Sequence, residues 1–459
     1  MINQYRSVNP ATNEVLRDYA ALDPATAEQA LQSAHLAFAA WRRRDVGDRV
    51  ELFHRLADLL VKRKDDFARL TTAEMGKPLA QSEAEVDLAA EIIRYHAEHG
   101  EQLLADRPLD VPGLSRAVIR REPMGVVLGI EPWNGPLYQA MRTSAPNLML
   151  GNTVLLKPAE QCAGVTLLFD EIFAEAGFPT GVYQTALLSH DQIAAFIADP
   201  RIRAIGFTGS ERAGRIIGAL AGEHVKPVTL ELGGSDAFLV LDSADAGKAA
   251  AVATSCRLFI SGQVCTSPKR LIVTDAVADE FVAALTENFR SQVLGDPFAA
   301  PTTVGPLSSV AAAQRVQAQY QDAVDKGARV LVEGGQLAPD SAFFRPAVLT
   351  DLTPDMQAYA DEVFGPVALV FRVPDDAAAV ALANSSRYGL GGTVFAEDPD
   401  AAQAAAAGLD TGMVGINTFL GGPVEIPFGG TKASGIGREL GPTGMDGFAN
   451  VKTYGFAAV

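Results

Sequence analysis

Along this sequence the residues with chemical potential gather where the chain changes direction. Cys265 lies in SGQVCTSPKR (261–270), after a glycine and before a polar exit containing Pro268. A thiol in that setting has four readings: packed core residue, redox partner, metal ligand or nucleophile. The chain holds three cysteines, Cys162, Cys256 and Cys265, with no C-x-x-C pair. An odd, sparse set of this kind is neither a disulfide framework nor a zinc site, so no metal is expected. Cys256 falls in the apolar stretch AAAVATSCRLFI and Cys162 follows LLKPAEQ at a helix start; both read as inert packing. On its own residues Cys265 stays open between nucleophile and core.

Four further places carry polar groups directly after apolar runs. Asn134 sits in EPWNGP after GVVLGI, and Lys157 ends TVLLK with Glu160 three residues on. Gly209 and Ser210 open a helix after AIGFT, and Glu231 ends the run VTLE. Each has a plain structural reading: a turn residue, a solvated charge, an ordinary helix cap, a surface carboxylate. Together they recur on one edge. In open parallel sheets ligands bind beyond the carboxyl ends of the strands, and this pattern points there.

The elements that must hold these residues follow from periodicity. The first hundred residues read as helices. DPATAEQALQSAHLAFAAWRRR opens at a capping Asp23-Pro24, and VELFHRLADLLVKRKDDFARLTTAEMG stops near Gly76. From residue 124 onward short β-branched runs alternate with helical stretches of about a dozen residues, the signature of a doubly wound parallel sheet. The alternation restarts after Gly234. The expected fold is therefore α/β, with two doubly wound parallel-sheet domains. Residues 1–104 and 124–233 form a cofactor domain, and 234–445 a catalytic domain carrying Cys265. The stretches 105–123 and 446–459 read as strands without a crossover helix, suited to pairing between copies of the chain.

A chain of 459 residues exceeds a single ordinary core, and 48% apolar with 20% charged residues is a globular composition. The net charge of −17 repels nucleic acid and anionic membrane surfaces. No run approaches the roughly 18 apolar residues of a membrane span. The opening MINQYRSVNPATNEVLRDYA lacks an apolar core, so no secretory signal is expected and the cytoplasm is the expected compartment.

Seven motifs in order, EPWNGP, LLKPAE, FTGSERAG, LELGG, SGQVC, EVFGPV and PFGGTKASGIGRELG, resemble the aldehyde dehydrogenase superfamily over essentially the whole chain. REPMGVVLGIEPWN, LELGGSDAFLVL and EMGKP are most similar to its succinate-semialdehyde dehydrogenase branch. The resemblance implies that Cys265 attacks an aldehyde carbon to give a thiohemiacetal. Asn134 and the Cys265 backbone N–H then stabilise the oxyanion, one such donor being worth about 3 kcal/mol. Glu231 is implied as the base that activates water against the resulting thioester. Trp133, Lys157, Glu160, Gly209, Ser210, Glu362 and Phe364 are implied cofactor contacts. NAD is the expected cofactor over NADP, because the Glu160 carboxylate would face a 2′-phosphate. Arg142, eight residues after Asn134, is implied as the partner of a substrate carboxylate, as in succinate semialdehyde. A second arginine found in some of these enzymes six residues before the nucleophile is replaced here by Phe259. A dehydrogenase for a more apolar aldehyde, a CoA-acylating relative and a catalytically silent protein on the same fold are the other readings. Glu231 disfavours the second, and the triad of Cys265, Glu231 and Asn134 the third. The expected partners are a small aldehyde and further copies of the chain, as a homodimer or homotetramer.

Overall fold

The computed structural model describes residues 5–457; positions 1–4 of the expected first domain and 458–459 of the expected last strand lie outside the described residues. Five parallel strands build the first sheet: β1 (Val126–Ile130), β2 (Thr153–Lys157), β3 (Tyr183–Thr185), β4 (Ile202–Thr208) and β5 (Val228–Glu231). Every residue of β1 and β2 is buried, because helices cover both faces. The spatial order is β3-β2-β1-β4-β5. The order reverses at β1, which opens a crevice between the loops leaving β1 and β4. Those loops carry Asn134 and Gly209.

The second sheet holds β6 (Ala237–Val240), β7 (Arg270–Thr274), β8 (Arg329–Val332), β9 (Ala347–Thr350), β10 (Val367–Val373), β11 (Gly391–Phe395) and β12 (Met413–Ile416). Its order is β8-β9-β10-β7-β6-β11-β12, and only the β8–β9 pair is antiparallel. Here the chemistry sits at the opposite end. Cys265 precedes β7 and Glu362 precedes β10, two adjacent parallel strands. The carboxyl edge of the first sheet thus faces the amino edge of the second, and the cleft runs between them.

Helix α1 (Leu79–Leu104) packs on α2 (Pro136–Leu150), the helix that follows β1. Helix α3 (Ala246–Leu258) leads to the Cys265 turn, and α4 (Val310–Asp325) lies on the cleft side of the second sheet. A separate three-stranded sheet joins Arg107–Leu109, Arg116–Pro123 and Ala449–Phe456, the last two antiparallel over eight residues. It leaves Leu109, Val451 and Phe456 exposed.

Part of the segment expected in the 234–445 domain packs against the first unit. Strand β13 (Gly435–Ile436) leaves the second unit and pairs antiparallel with β5, Gly435 opposite Glu231. Val424, Phe428, Leu440 and Met445 join the same core as α1 and α2. Short, glycine-flanked strands give too little periodicity to be placed from sequence. Among the described residues no helix is long and apolar enough to cross a membrane.

Candidate active site

Cys265 follows α3 through a turn in which Ile260, Ser261 and Gly262 have φ of 50°, 53° and 76°. Left-handed backbone at a β-branched residue is an outlier, and such strain persists only where neighbours over-determine it. Here they do. The Ile260 N–H donates to Gln81 Oε1 at 2.9 Å, and Ser261 Oγ donates to the Gly305 carbonyl at 2.9 Å. Arg257 Nη1 donates to the Gly262 carbonyl at 3.2 Å, and the Ser308 N–H to Gln263 Oε1 at 2.9 Å. A Cβ on Gly262 would lie 2.4 Å from the Gly365 carbonyl oxygen, so glycine is required there.

Burial pushes the Cys265 thiol up to about 11; Arg142 and Lys269 pull against it, Glu362 and Asp236 with it. Burial pushes Cys256 up to about 12, and Cys162 is wholly buried with its thiol raised well above the usual range.

Asn134 lies in the turn between β1 and α2, and its Nδ2 donates to the Gln263 carbonyl at 3.0 Å. That bond ties the turn of the first sheet to the loop that carries Cys265. A side-chain amide has two N–H groups, so a second donor remains. The turn itself is held by two residues the sequence reading did not single out. Lys77 Nζ donates to the Asn134 carbonyl at 3.0 Å and forms an ion pair with Glu85. Glu85 Oε1 accepts the N–H groups of Leu137 and Tyr138 at 2.8 and 3.1 Å. It caps α2, whose own N-cap position is Gly135 and offers no side chain. Lys77 belongs to the motif EMGKP, read only as a branch marker; Glu85 gives no local signal.

Glu231 ends β5, is 2% exposed, and neither carboxylate oxygen has a hydrogen-bond partner among the described residues. Burial raises its pKa well above the carboxylate range; Arg142 opposes this and Glu439 adds to it. A carboxyl kept free of partners and desolvated has the character of a general base.

Two cavities meet at these residues. One, of about 160 Å³, is lined by Lys77, Gln81, Tyr138, Phe259 and Phe428 together with Asn134 and Cys265. The other is lined by Trp133, Gly209, Ser210, Glu231, Glu362 and Phe364, again with Asn134 and Cys265. Trp133 and Phe364 meet edge to face across it, centroids 5.7 Å apart. Ser210 caps the helix Glu211–Glu223 by accepting the Ala213 N–H at 3.3 Å, and that helix start faces the cleft. Glu362 pairs with Lys269 at 3.0 Å. Arg315, on α4, also lines this cleft and was not anticipated.

Lys157 and Glu160 form an ion pair at 2.8 Å at the end of β2, outside the lining of that cleft. Burial raises Glu160, but the charge and hydrogen bond of Lys157, with a backbone hydrogen bond and His190, together hold the carboxyl below its ordinary value. His190 Nε2 lies 3.8 Å from the same carboxylate.

The structure places Arg142 elsewhere than the sequence reading did. Its side chain is fully buried, paired with Glu439, and donates through Nη2 to Thr208 Oγ1 at 2.9 Å. The rings of Tyr138 and Phe428 cover it at 5.2 and 4.6 Å and separate it from the smaller cavity. The spacing from Asn134 was right for the helix, but the facing carboxylate comes from the far end of the chain.

The family model described as the aldehyde dehydrogenase family matches residues 2–454. A succinate-semialdehyde dehydrogenase [NADP(+)] of Deinococcus radiodurans is 47% identical over 98% of this chain and 94% of its own. One from Mycobacterium ulcerans is 40% identical over 97% and 98%. The succinic semialdehyde dehydrogenase from Streptococcus pyogenes, solved with NADP+, superposes with a TM-score of 0.96 at 39% identity, over 99% of this chain and all of that one. With its motifs, its two facing sheets and its full-length relatives in agreement, this chain belongs to the aldehyde dehydrogenase family.

Proposed function

We propose that this aldehyde dehydrogenase oxidises a short aldehyde to its carboxylic acid, with Cys265 as nucleophile, Asn134 as oxyanion donor and Glu231 as base. The observation that carries the reading is the position of Cys265 and Asn134 on the shared wall of both cavities. The Cys265 thiol gives up its proton to water and its sulfur forms a bond to the aldehyde carbon while the carbonyl electron pair moves to oxygen; that pair re-forms the carbonyl as the C–H bond breaks and hydride leaves, giving the thioester. The second Asn134 Nδ2 N–H and the Cys265 N–H meet that oxygen. A bound nicotinamide dinucleotide supplies the hydride acceptor. Glu231 then removes a proton from water as its oxygen adds to the thioester; the C–S bond breaks, and acid and thiol are released.

The cleft residues suit such a cofactor. The helix start at Ser210 offers N–H groups to a pyrophosphate, and Glu362 and Phe364 line the wall beside Cys265. Lys157 and Glu160 would hold its adenosine end, where the Glu160 carboxylate would favour a free ribose over a 2′-phosphate. This chain therefore prefers NAD, although the relatives above are named for NADP(+).

Succinate semialdehyde is the first substrate candidate, on the names of the relatives. One observation favours an uncharged short aldehyde instead. The cation lining the smaller cavity, Lys77, is already held by Glu85, and Arg142 lies behind two rings. Following reduced nicotinamide with succinate semialdehyde and butyraldehyde, each with NAD and NADP, decides between them. Cys265→Ala abolishes turnover in a folded protein. Glu231→Gln leaves one stoichiometric burst followed by slow turnover; an unchanged steady-state rate removes Glu231 from the base role. The exposed apolar residues Leu109, Val451 and Phe456 of the three-stranded sheet suit pairing with a second copy into a dimer or tetramer.

A further inference from the structure

Lys269 stands four residues after the nucleophile, and its side chain is completely buried. A buried ammonium is costly unless every donor is matched. Lys269 Nζ has three partners: the Val264 carbonyl at 2.8 Å, the Cys265 carbonyl at 2.5 Å and Glu362 Oε1 at 3.0 Å. An ammonium has three N–H groups, so all are engaged. Its backbone is fixed as well, since the N–H groups of Lys269 and Arg270 both donate to the Asp236 carbonyl at 3.1 Å.

Glu362 is equally confined. Its Oε1 also accepts the Gly234 N–H at 3.2 Å, and a Cβ on Gly233 would lie 2.2 Å from its Oε2. One cation thus joins the nucleophile's own carbonyl to a carboxylate on the cofactor side of the cleft.

We infer that Lys269 is a positioning residue that fixes the Cys265 turn and favours its thiolate, and that Glu362 opposes it by pairing with the same ammonium. The inference rests on the reading of Cys265 as nucleophile given above. The other charged or titratable groups around the sulfur are Arg142 and Tyr138 from α2 and Asp236 just before β6, with Lys77, Glu85, Glu231 and Arg315 on the walls of the two cavities it lines. Arg142 supports the thiolate from behind and is itself held by Glu439. Lys269 differs in touching the nucleophile's own peptide and in having a partner on the cleft wall.

The two members of the pair act on the thiol with opposite sign, and that gives the test. Cofactor-free enzyme is alkylated with iodoacetamide across a pH series, and modification at Cys265 is quantified by peptide mass spectrometry. The pH midpoint is the readout. Lys269→Met removes the favourable charge and moves the midpoint upward, slowing alkylation on the order of tenfold for each unit. Glu362→Gln removes the opposing charge and moves it downward. Loss of structure shifts both variants the same way, so opposite shifts separate electrostatics from damage. Lys269→Arg, which keeps the charge, holds its midpoint closer to the wild type than Lys269→Met does. Where Lys269→Met fails to fold, Lys269→Gln takes its place, and the upward shift, which exposure of a buried thiol cannot give, is still required. Midpoints that do not move, or that move together, overturn the inference. No turnover with any aldehyde would refute the dehydrogenase reading while leaving the alkylation result intact.

Discussion

The carboxylate of Glu439 rests on the guanidinium of Arg142, both side chains 1% exposed or less, within reach of a second buried carboxylate. Thr143 Oγ1 lies 2.5 Å from Glu131 Oε1 and 3.1 Å from Glu439 Oε1, bridging the two acids beside one arginine. Burial foremost, and then the charge of Glu439, raises Glu131 well above the carboxylate range. Arg142→Leu therefore leaves Glu439 buried without its cation. The expected cost is about 3–5 kcal/mol of stability, the usual result of removing one partner of a buried pair. Urea or thermal unfolding reads it. A variant of wild-type stability with only a raised KM for an acidic aldehyde would return Arg142 to the substrate site.

The Lys77–Glu85 pair acts on Asn134 through its carbonyl and through the capped start of α2. Lys77→Met and Glu85→Gln are each expected to lower kcat for aldehyde oxidation about 10- to 100-fold, with a smaller change in KM. Each effect should shrink in an Asn134→Ala background, because residues acting through one group are not additive. Full additivity with Asn134→Ala would mean that the pair serves stability alone.

On the proposed placement of the cofactor, the choice between NAD and NADP turns on Glu160. Replacing it with serine removes the charge that a 2′-phosphate would face, while Lys157 remains to meet the phosphate. Glu160→Ser should raise kcat/KM for NADP on the order of tenfold, about 1.4 kcal/mol, and lower it for NAD. The ratio of the two cofactors, measured with a single aldehyde, is the check. A ratio unchanged by the substitution would place the adenosine ribose elsewhere.

Asp236 gives a pH signature. Burial pushes its carboxyl up to about 7, with Lys269 opposing and Glu362 adding. A group whose folded pKa is raised holds more protons folded than unfolded. Its stabilising contribution is full below the unfolded value near 4 and is lost as pH rises to about 7. Asp236→Asn cannot ionise, so melting temperature should fall less between pH about 4 and 7 than in the wild type. Parallel curves for the two proteins would remove Asp236 as a source of that slope.

Much of the site was legible because it sits where apolar runs end. The buried strands β1, β2, β4 and β5 declare themselves by β-branched runs, and Asn134, Lys157, Gly209 and Glu231 follow or end them. Cys265 stood out through its neighbours in the motif. The residues that support these groups left no such trace. Lys77, Glu85 and Lys269 look like solvated charges in sequence, and only tertiary packing brings each to a buried partner. Arg142 shows the same limit from the other side. A helix read alone gives the face a residue occupies, but not the acid that the chain's final segment brings against it.

Strand β13 has a consequence for how the protein is made. The first sheet gains its edge beside β5, and Arg142 its counter-charge, from residues 435–439. On the ribosome, every strand of the first sheet up to Glu231 emerges well before those residues exist. During that interval the edge of β5 is open and Arg142 lacks the carboxylate of Glu439. The edge strand and this ion pair thus form only once nearly the whole chain is translated, and a chain truncated before residue 435 lacks both.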